Sequence, residues 1–201
     1  MHFYCQLDYA HVPYVSPSSP NGNLANNGCG VCAVSMIVEA MTGKDFPVEE
    51  GAVLAKSCGA REGFGTDMEI YAPAFCEAKG FEYKATFDPK EVLAFLEAGK
   101  GMAIANTLGD REGWIGVFSD ERHYVTLCGA KDGEVAVWDP MLNPGRYDVP
   151  GRKGKVRLEG YTAYADFSVI ENDCLGRRYF MFWLKEGEWN GMEGLIWKTE
   201  R

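Results

Sequence analysis

The sequence predicts an α+β fold in which an N-terminal lobe of helices packs on a C-terminal lobe of antiparallel strands. Helical periodicity with helix end signals dominates up to about residue 100, and strand-like runs dominate after it. A turn at Lys131-Asp132-Gly133 joins two of these strands as a hairpin. We expect one domain, 1–201, with the helical lobe at about 25–100 and the sheet lobe at about 101–201 plus the N-terminal segment.

Four helices are predicted before the strand-rich part. The first runs from Cys29 to Met41 and presents apolar residues at helical spacing. The third has a capping-box pattern at Thr66 and Glu69, and Pro73 inside it predicts a kink or an early end. The second, third and fourth helices each begin at a proline or a cap residue and end at a glycine. Their predicted ranges are Pro47 to Gly59, Thr66 to Gly80 and Asp88 to Gly99.

Seven runs have the composition of strands, and a long loop precedes all of them. Segment 8–28 is rich in Pro, Ser, Asn and Gly, which predicts a loop of functional length. The predicted strands are Phe81–Thr86, Met102–Asn106, His123–Cys128, Glu134–Trp138, Lys155–Leu158, Tyr161–Ala165 and Tyr179–Leu184.

Composition and charge restrict the partners. The chain is 46% hydrophobic and 24% charged, which is typical of a soluble globular protein, and no apolar stretch is long enough to span a membrane. A net charge of −9 disfavours nucleic acid as a partner. The N-terminus lacks the features of a signal peptide, so we expect a cytoplasmic protein, or a secreted or cell-surface one if a leader has been removed. The oligomeric state is left open.

Three residues in chain order have the chemistry of a thiol hydrolase. Cys29 lies at a predicted helix start, where unpaired N–H groups and the helix dipole favour a thiolate. His123 begins an apolar strand and Asp139 ends its hairpin partner. A thiol nucleophile needs a base, and the base needs a group that fixes its orientation. Each residue alone has an ordinary explanation: a buried helix-start cysteine, a surface histidine and an Asp-Pro turn.

Further residues strengthen this pattern into a family resemblance. The chain resembles the bacteriocin-processing (double-glycine) peptidases, and more closely their stand-alone bacterial relatives in the papain-like superfamily. The resemblance covers roughly residues 3–140. It is carried by Gln6-x-Asp8-Tyr9, Pro13-Tyr14, Gly28-Cys29-Gly30, Ala33, Met36, His123-Tyr-Val-Thr-Leu, Gly129, Asp132-Gly133 and Asp139-Pro140.

The resemblance implies a papain-like cysteine peptidase fold and a cysteine peptidase that needs no metal or cofactor. It implies that Cys29 is the nucleophile, His123 the base, Asp139 the residue that orients it, and Gln6 a donor to the oxyanion. A peptide or protein would then be the substrate. The chain departs from the family pattern at Val31 and Cys32, and residues 141–201 match none of its motifs, so the family's substrate does not carry over.

Three alternatives stay open on the sequence. Cys29-Gly30-Val31-Cys32 is also a C-x-x-C pattern, which occurs in thiol–disulfide redox proteins. The same fold can serve as a catalytically inactive peptide-binding domain. An amidase, isopeptidase or transpeptidase would use the same thioester chemistry with a different substrate or acceptor.

Overall fold

The computed structural model describes residues 2–61 and 63–187, together with Trp189, Gly191, Ile196 and Trp197. A 3₁₀ helix, Gln6–Tyr9, comes first. The α-helices in the described residues are α1 (Leu24–Asn27), α2 (Cys29–Thr42), α3 (Val48–Ser57), α4 (Met68–Lys79), α5 (Pro89–Glu97) and α6 (Phe167–Asp173). The strands are β1 (Phe81–Thr86), β2 (Met102–Thr107), β3 (His123–Lys131), β4 (Glu134–Trp138), β5 (Arg157–Glu159), β6 (Thr162–Asp166) and β7 (Tyr179–Leu184).

All seven strands form one antiparallel sheet in the order β1-β7-β2-β3-β4-β6-β5. Each lies at a predicted run, with ends that shift by up to three residues. The hairpin between β3 and β4 turns at Asp132 and Gly133, whose φ angles of 52° and 80° suit a two-residue turn that follows the strand twist. Strand β1 falls in the range expected for the helical lobe, yet it is an edge strand of the sheet.

Helices cover both faces of the sheet. One core lies between the sheet and α2, α3 and α4, and it contains Ile104, Trp138 and Phe182. The second core lies on the opposite face under α5 and α6. It takes the alternate strand residues, such as Ala105 and Val125, as the two-residue period of a strand requires. The α+β class with helices packed on an antiparallel sheet is therefore confirmed.

Helix α2 is apolar around almost its whole circumference and lies against β3. Its Ile37 and Met36 are fully buried, as expected for a helix enclosed by other elements. The helix ends at Gly43, whose φ of 67° is the left-handed conformation that glycine adopts at low cost. This burial fixes the first residue of α2 at one end of the sheet.

Helix α4 differs from the sequence prediction at two points: its N-cap is one residue later, and it does not end early at Pro73. Asp67 caps the helix by accepting the Glu69 N–H over 2.9 Å, because the helix begins one residue later than the capping-box pattern indicates. Thr66 instead shares a 2.9 Å hydrogen bond with the Tyr14 hydroxyl. Pro73 lies inside a helix that continues to Lys79.

Segment 8–28 contains more structure than predicted. It holds the end of the 3₁₀ helix, the one-turn helix α1 and two isolated bridges. Arg61, 4% exposed, donates to the Tyr14 carbonyl from Nε and Nη2 over 2.9 and 2.7 Å and also holds the Gly63 and Gly65 carbonyls. One buried cation thus ties this segment to the connection between α3 and α4.

Candidate active site

Cys29 is the first residue of α2, with Gly28 as the N-cap, and its side chain is partly exposed. The backbone N–H groups of Gly30 and Tyr124 donate to the thiol sulfur. In the described residues, no carbonyl accepts the N–H of Cys29 itself. The sequence thus places a thiol and a free backbone donor at the same helix start.

The glycines on either side of Cys29 serve packing rather than substrate access. A Cβ on Gly30 would lie 2.9 Å from Cβ of Thr66 and 3.3 Å from the ring of Tyr124. A Cβ on Gly28 would collide with the carbonyl of Leu24. The packing around Cys29 therefore requires glycine at both positions, because protein atoms already fill the space that a side chain would need.

His123 and Asp139 meet at the end of the β3–β4 hairpin. Thr126 pairs with Trp138, so the same register places Asp139 opposite Val125, two residues from His123 on the same face. His123 Nε2 lies 2.7 Å from Asp139 Oδ1. The other ring nitrogen, Nδ1, is therefore left for Cys29, whose thiol is hydrogen-bonded to the ring. The structure brings these three predicted residues together.

The Asp139 carboxylate is 1% exposed and accepts four hydrogen bonds. Besides the His123 contact, Oδ1 accepts the Met141 N–H over 2.8 Å. Oδ2 accepts the Tyr147 hydroxyl over 2.8 Å and Nε of Arg146, which also donates to the Phe118 carbonyl. Sequence reasoning missed Arg146 and Tyr147, because they lie in an irregular loop that returns to the strand end and shows no periodicity.

These contacts shift the protonation equilibria in directions that favour an ion pair. Burial raises the pKa of Cys29, but the His123 hydrogen bond and charge and the two backbone donors outweigh it, so the pKa lies below its ordinary value. Burial lowers the pKa of His123, but Asp139 and Cys29 raise it above its ordinary value. Burial raises the pKa of Asp139, while His123, Arg146 and the Met141 N–H lower it overall.

Gln6 is buried against α1, the short helix that precedes Cys29. It is 1% exposed, and its Nε2 donates to the Ala25 carbonyl over 2.6 Å. Ala25 is four residues before Cys29, so its carbonyl is the acceptor that Cys29 N–H would use in a continuous helix. The helix is interrupted at Gly28, and the Gln6 side chain donates to the Ala25 carbonyl instead. The second Gln6 amide hydrogen remains available.

A cavity of about 730 Å³ opens over Cys29 and His123. It is within the size range of small-ligand sites and is bordered mainly by polar side chains. Gln6 is not one of its lining residues, which in the described part are Asn26, Asn27, Cys29, Phe64, Gly65, Thr66, Asn106, Leu108, Glu121, Arg122, His123, Tyr124 and Arg177.

The loop between β2 and β3, residues 108–122, leads directly into His123. Its middle is anchored to the end of α6 and does not fold over the cleft. The buried Asp173 carboxylate accepts the N–H groups of Val117 and Phe118 and Nε1 of Trp114, at 2.7 to 3.0 Å. Val117 and Phe118 are fully buried. The two ends of the loop, rather than its tip, border the cavity.

All seven cysteines are free thiols. Cys32, the second cysteine of the C-x-x-C pattern, is completely buried, and burial raises its pKa well above the ordinary value. No group of three or more His, Cys, Asp or Glu side chains within the described ranges could hold a metal ion. No helix in those ranges has the length and hydropathy of a membrane span.

No protein-family model and no curated protein matches the chain. Among solved structures, the chain is similar to the crystal structure of the peptidase domain of Streptococcus ComA, a bifunctional ABC transporter involved in a quorum-sensing pathway. The two share 13% sequence identity and superpose with a TM-score of 0.51. The match covers 78% of this chain and 90% of that one. The chain therefore has the fold of a peptidase domain, as the resemblance implied.

Proposed function

We propose that the protein is a cysteine hydrolase that cleaves a peptide or amide bond through a thioester. The observation that carries this proposal is the buried contact of His123 Nε2 with Asp139 at 2.7 Å, with the opposite ring nitrogen left for the Cys29 thiol. A thiol, an imidazole and a carboxylate in this sequence of contacts can activate a nucleophile.

The proposed reaction has two stages, acylation of Cys29 and hydrolysis of the thioester, and His123 transfers the proton in both. His123 takes the thiol proton, and the Cys29 sulfur attacks the substrate carbonyl carbon, whose π electrons move to oxygen. The tetrahedral intermediate collapses, the C–N bond breaks, and His123 gives its proton to the leaving amine. Water then attacks the thioester with His123 as the base, releases the carboxylic acid and returns the proton to the thiol.

We propose the N–H of Cys29 as a donor to the oxyanion and Gln6 as the residue that keeps this N–H free. The N–H of Cys29 has no carbonyl partner in the described residues, and Gln6 holds the Ala25 carbonyl that would otherwise compete for it. Removal of one such donor typically lowers kcat by about 10²–10³. Asp139 positions the imidazole and stabilises the imidazolium, and Arg146 and Tyr147 position Asp139.

The redox alternative is less well supported. A thiol–disulfide centre needs its second cysteine to reach the reacting pair, and Cys32 is fully buried with a raised pKa. It would also leave the buried contact between His123 and Asp139 without a role.

The test is a covalent trap combined with a cleavage assay. The folded protein is treated with an epoxysuccinyl or vinyl sulfone peptide, and the adduct is located by mass spectrometry. We expect a single adduct at Cys29, lost in Cys29→Ala and strongly slowed in His123→Ala. Cleavage of a peptide library should depend on the same two residues. A folded protein that forms no adduct and cleaves no peptide would overturn the proposed peptidase activity.

A further inference from the structure

The cleft over Cys29 continues into a second cavity of about 370 Å³ that reaches Gly59, Asp67 and Ile70. The two cavities share one wall, so we treat them as a single groove. The shared residues are Gly65, Thr66, Asn106, Arg122, Tyr124 and Arg177. Two of these six are arginines, and they are the feature of the groove that the proposed reaction does not use.

Neither arginine is ion-paired within the described part of the chain. The acidic groups of the second cavity are already engaged: Asp67 accepts the Glu69 N–H over 2.9 Å, and Glu69 pairs with Arg178 at 2.6 Å. Nε of Arg177 is buried and has no hydrogen-bond partner there. The remaining carboxylate that borders the groove, Glu121, pairs with neither arginine among the described residues. Both guanidinium groups are therefore left to bind an anionic ligand.

Tyr124 connects this pair to the nucleophile. Its backbone N–H donates to the Cys29 sulfur, while its hydroxyl lies near the Met68 N–H and within the field of Arg177. Tyr124 and Arg177 both line the two cavities, so the nucleophile and this arginine border the same groove.

We propose that Arg122 and Arg177 form a carboxylate-binding subsite, and that the substrate carries an acidic side chain or a free C-terminal carboxylate close to the bond that Cys29 attacks. Guanidinium groups match the planar carboxylate with paired hydrogen bonds and keep their charge at any physiological pH. The assignment deepens the proposed function and rests on it for the substrate class. It does not rest on turnover.

Binding is therefore measured apart from cleavage. Cys29→Ala protein is titrated with fluorescent peptides that differ only in carrying Asp or Asn, or a free or amidated C-terminus. We expect the better of the two carboxylates to bind about tenfold more tightly than its neutral counterpart. The Asp/Asn and the acid/amide pairs separate a side chain from a chain end as the source. Added salt should weaken the discrimination.

Substitutions of the two arginines test whether the groove causes the discrimination between charged and neutral peptides. Arg122→Gln with Arg177→Gln should abolish the discrimination between charged and neutral peptides. Lys90→Gln with Lys153→Gln removes the same charge from exposed positions elsewhere and should preserve it. Arg177→Glu should weaken acidic peptides further and improve peptides with Lys at that position.

The outcomes separate the two proposals. Equal binding of charged and neutral peptides, or no binding of either, overturns the subsite even if the wild type cleaves peptides. Discrimination that survives the double arginine variant also overturns it. Discrimination that is lost with the arginines, in a protein that never acylates Cys29, supports the subsite and overturns the hydrolase.

Discussion

The Tyr147 hydroxyl donates to Oδ2 of Asp139 over 2.8 Å, on the carboxylate oxygen that does not contact His123. Both oxygens of this buried carboxylate are therefore held by named donors, and the oxygen that contacts the imidazole cannot rotate away without breaking the bonds on the other side. Rigid positioning of this kind keeps a catalytic imidazole in one orientation.

Tyr147→Phe should lower the free energy of unfolding by about 1.5–3 kcal/mol, because a charged acceptor loses one of its four hydrogen bonds. Chemical denaturation measures the change. Tyr161→Phe is the matched control, since its side chain is 45% exposed and its hydroxyl makes no hydrogen bond within the described residues. Equal stability of the Tyr147 variant and the wild type would contradict the arrangement at Asp139.

Cys29 should react with iodoacetamide much faster than Cys58 at about pH 6, because its pKa is lowered and the thiolate is the nucleophile. Both side chains are partly exposed, so accessibility does not decide the comparison. Peptide mapping after brief labelling gives both rates. His123→Ala should remove most of the advantage, and equal rates in the wild type would argue against an activated thiol.

Cys32→Ser should leave peptide cleavage close to the wild-type rate, because Cys32 is buried and takes no part in the proposed reaction. Cys128→Ser, a buried cysteine in β3, controls for the cost of placing a hydroxyl in the core. Activity per folded molecule is the quantity to compare. A loss confined to the Cys32 variant would favour the redox interpretation.

Gly30→Ala should abolish or strongly reduce the reactivity of Cys29. Its new Cβ would lie 2.9 Å from Cβ of Thr66, which displaces the helix start that carries the thiol. Gly63→Ala is the matched control, since no atom lies within 4 Å of its new Cβ and its backbone needs no left-handed conformation. Alkylation of Cys29 in the two folded variants distinguishes them.

The pH dependence of stability should carry the signature of the buried pair. Asp139 has a lowered pKa, so its contribution is present above the unfolded value of about 3.9 and is lost as pH falls through the folded one. His123 has a raised pKa, so its contribution is full below about 6.5 and is lost as pH rises through the folded value.

The stability difference between wild type and Asp139→Asn should therefore be largest between these limits and shrink on both sides. Denaturation across the pH range measures it. A difference that is independent of pH would show that the two side chains are not ionised together in the folded state.

The sequence predicted the sheet and the approach of three site residues well. His123 and Asp139 lie on two strands joined by a short turn, so local pairing brings them together, and Cys29 is fixed by an apolar helix that packs on the same hairpin. Gln6 was found only through the family resemblance, because a single glutamine before a loop has no pattern of its own.

What sequence reasoning missed depends on long-range contacts of irregular segments. Arg146 and Tyr147 reach Asp139 from a turn-rich loop, and Arg61 organises the cleft from a connection between helices. Thr66 fits the capping-box pattern, but its hydroxyl forms a hydrogen bond with the Tyr14 hydroxyl instead of capping the helix. Helix α6 was missed because its seven residues are too few to show a clear period.

The position of β7 between β1 and β2 has a consequence for biosynthesis. Until residues 179–184 leave the ribosome, the backbone groups of β1 and β2 that pair with β7 have no partner strand. The apolar face of α4 is then only partly covered by the sheet. Strand β7 must therefore insert between two strands that are already present, rather than pair with the outer edge of a complete sheet. A nascent chain stalled before residue 179 would therefore expose unpaired strand edges and apolar surface, and we expect it to aggregate.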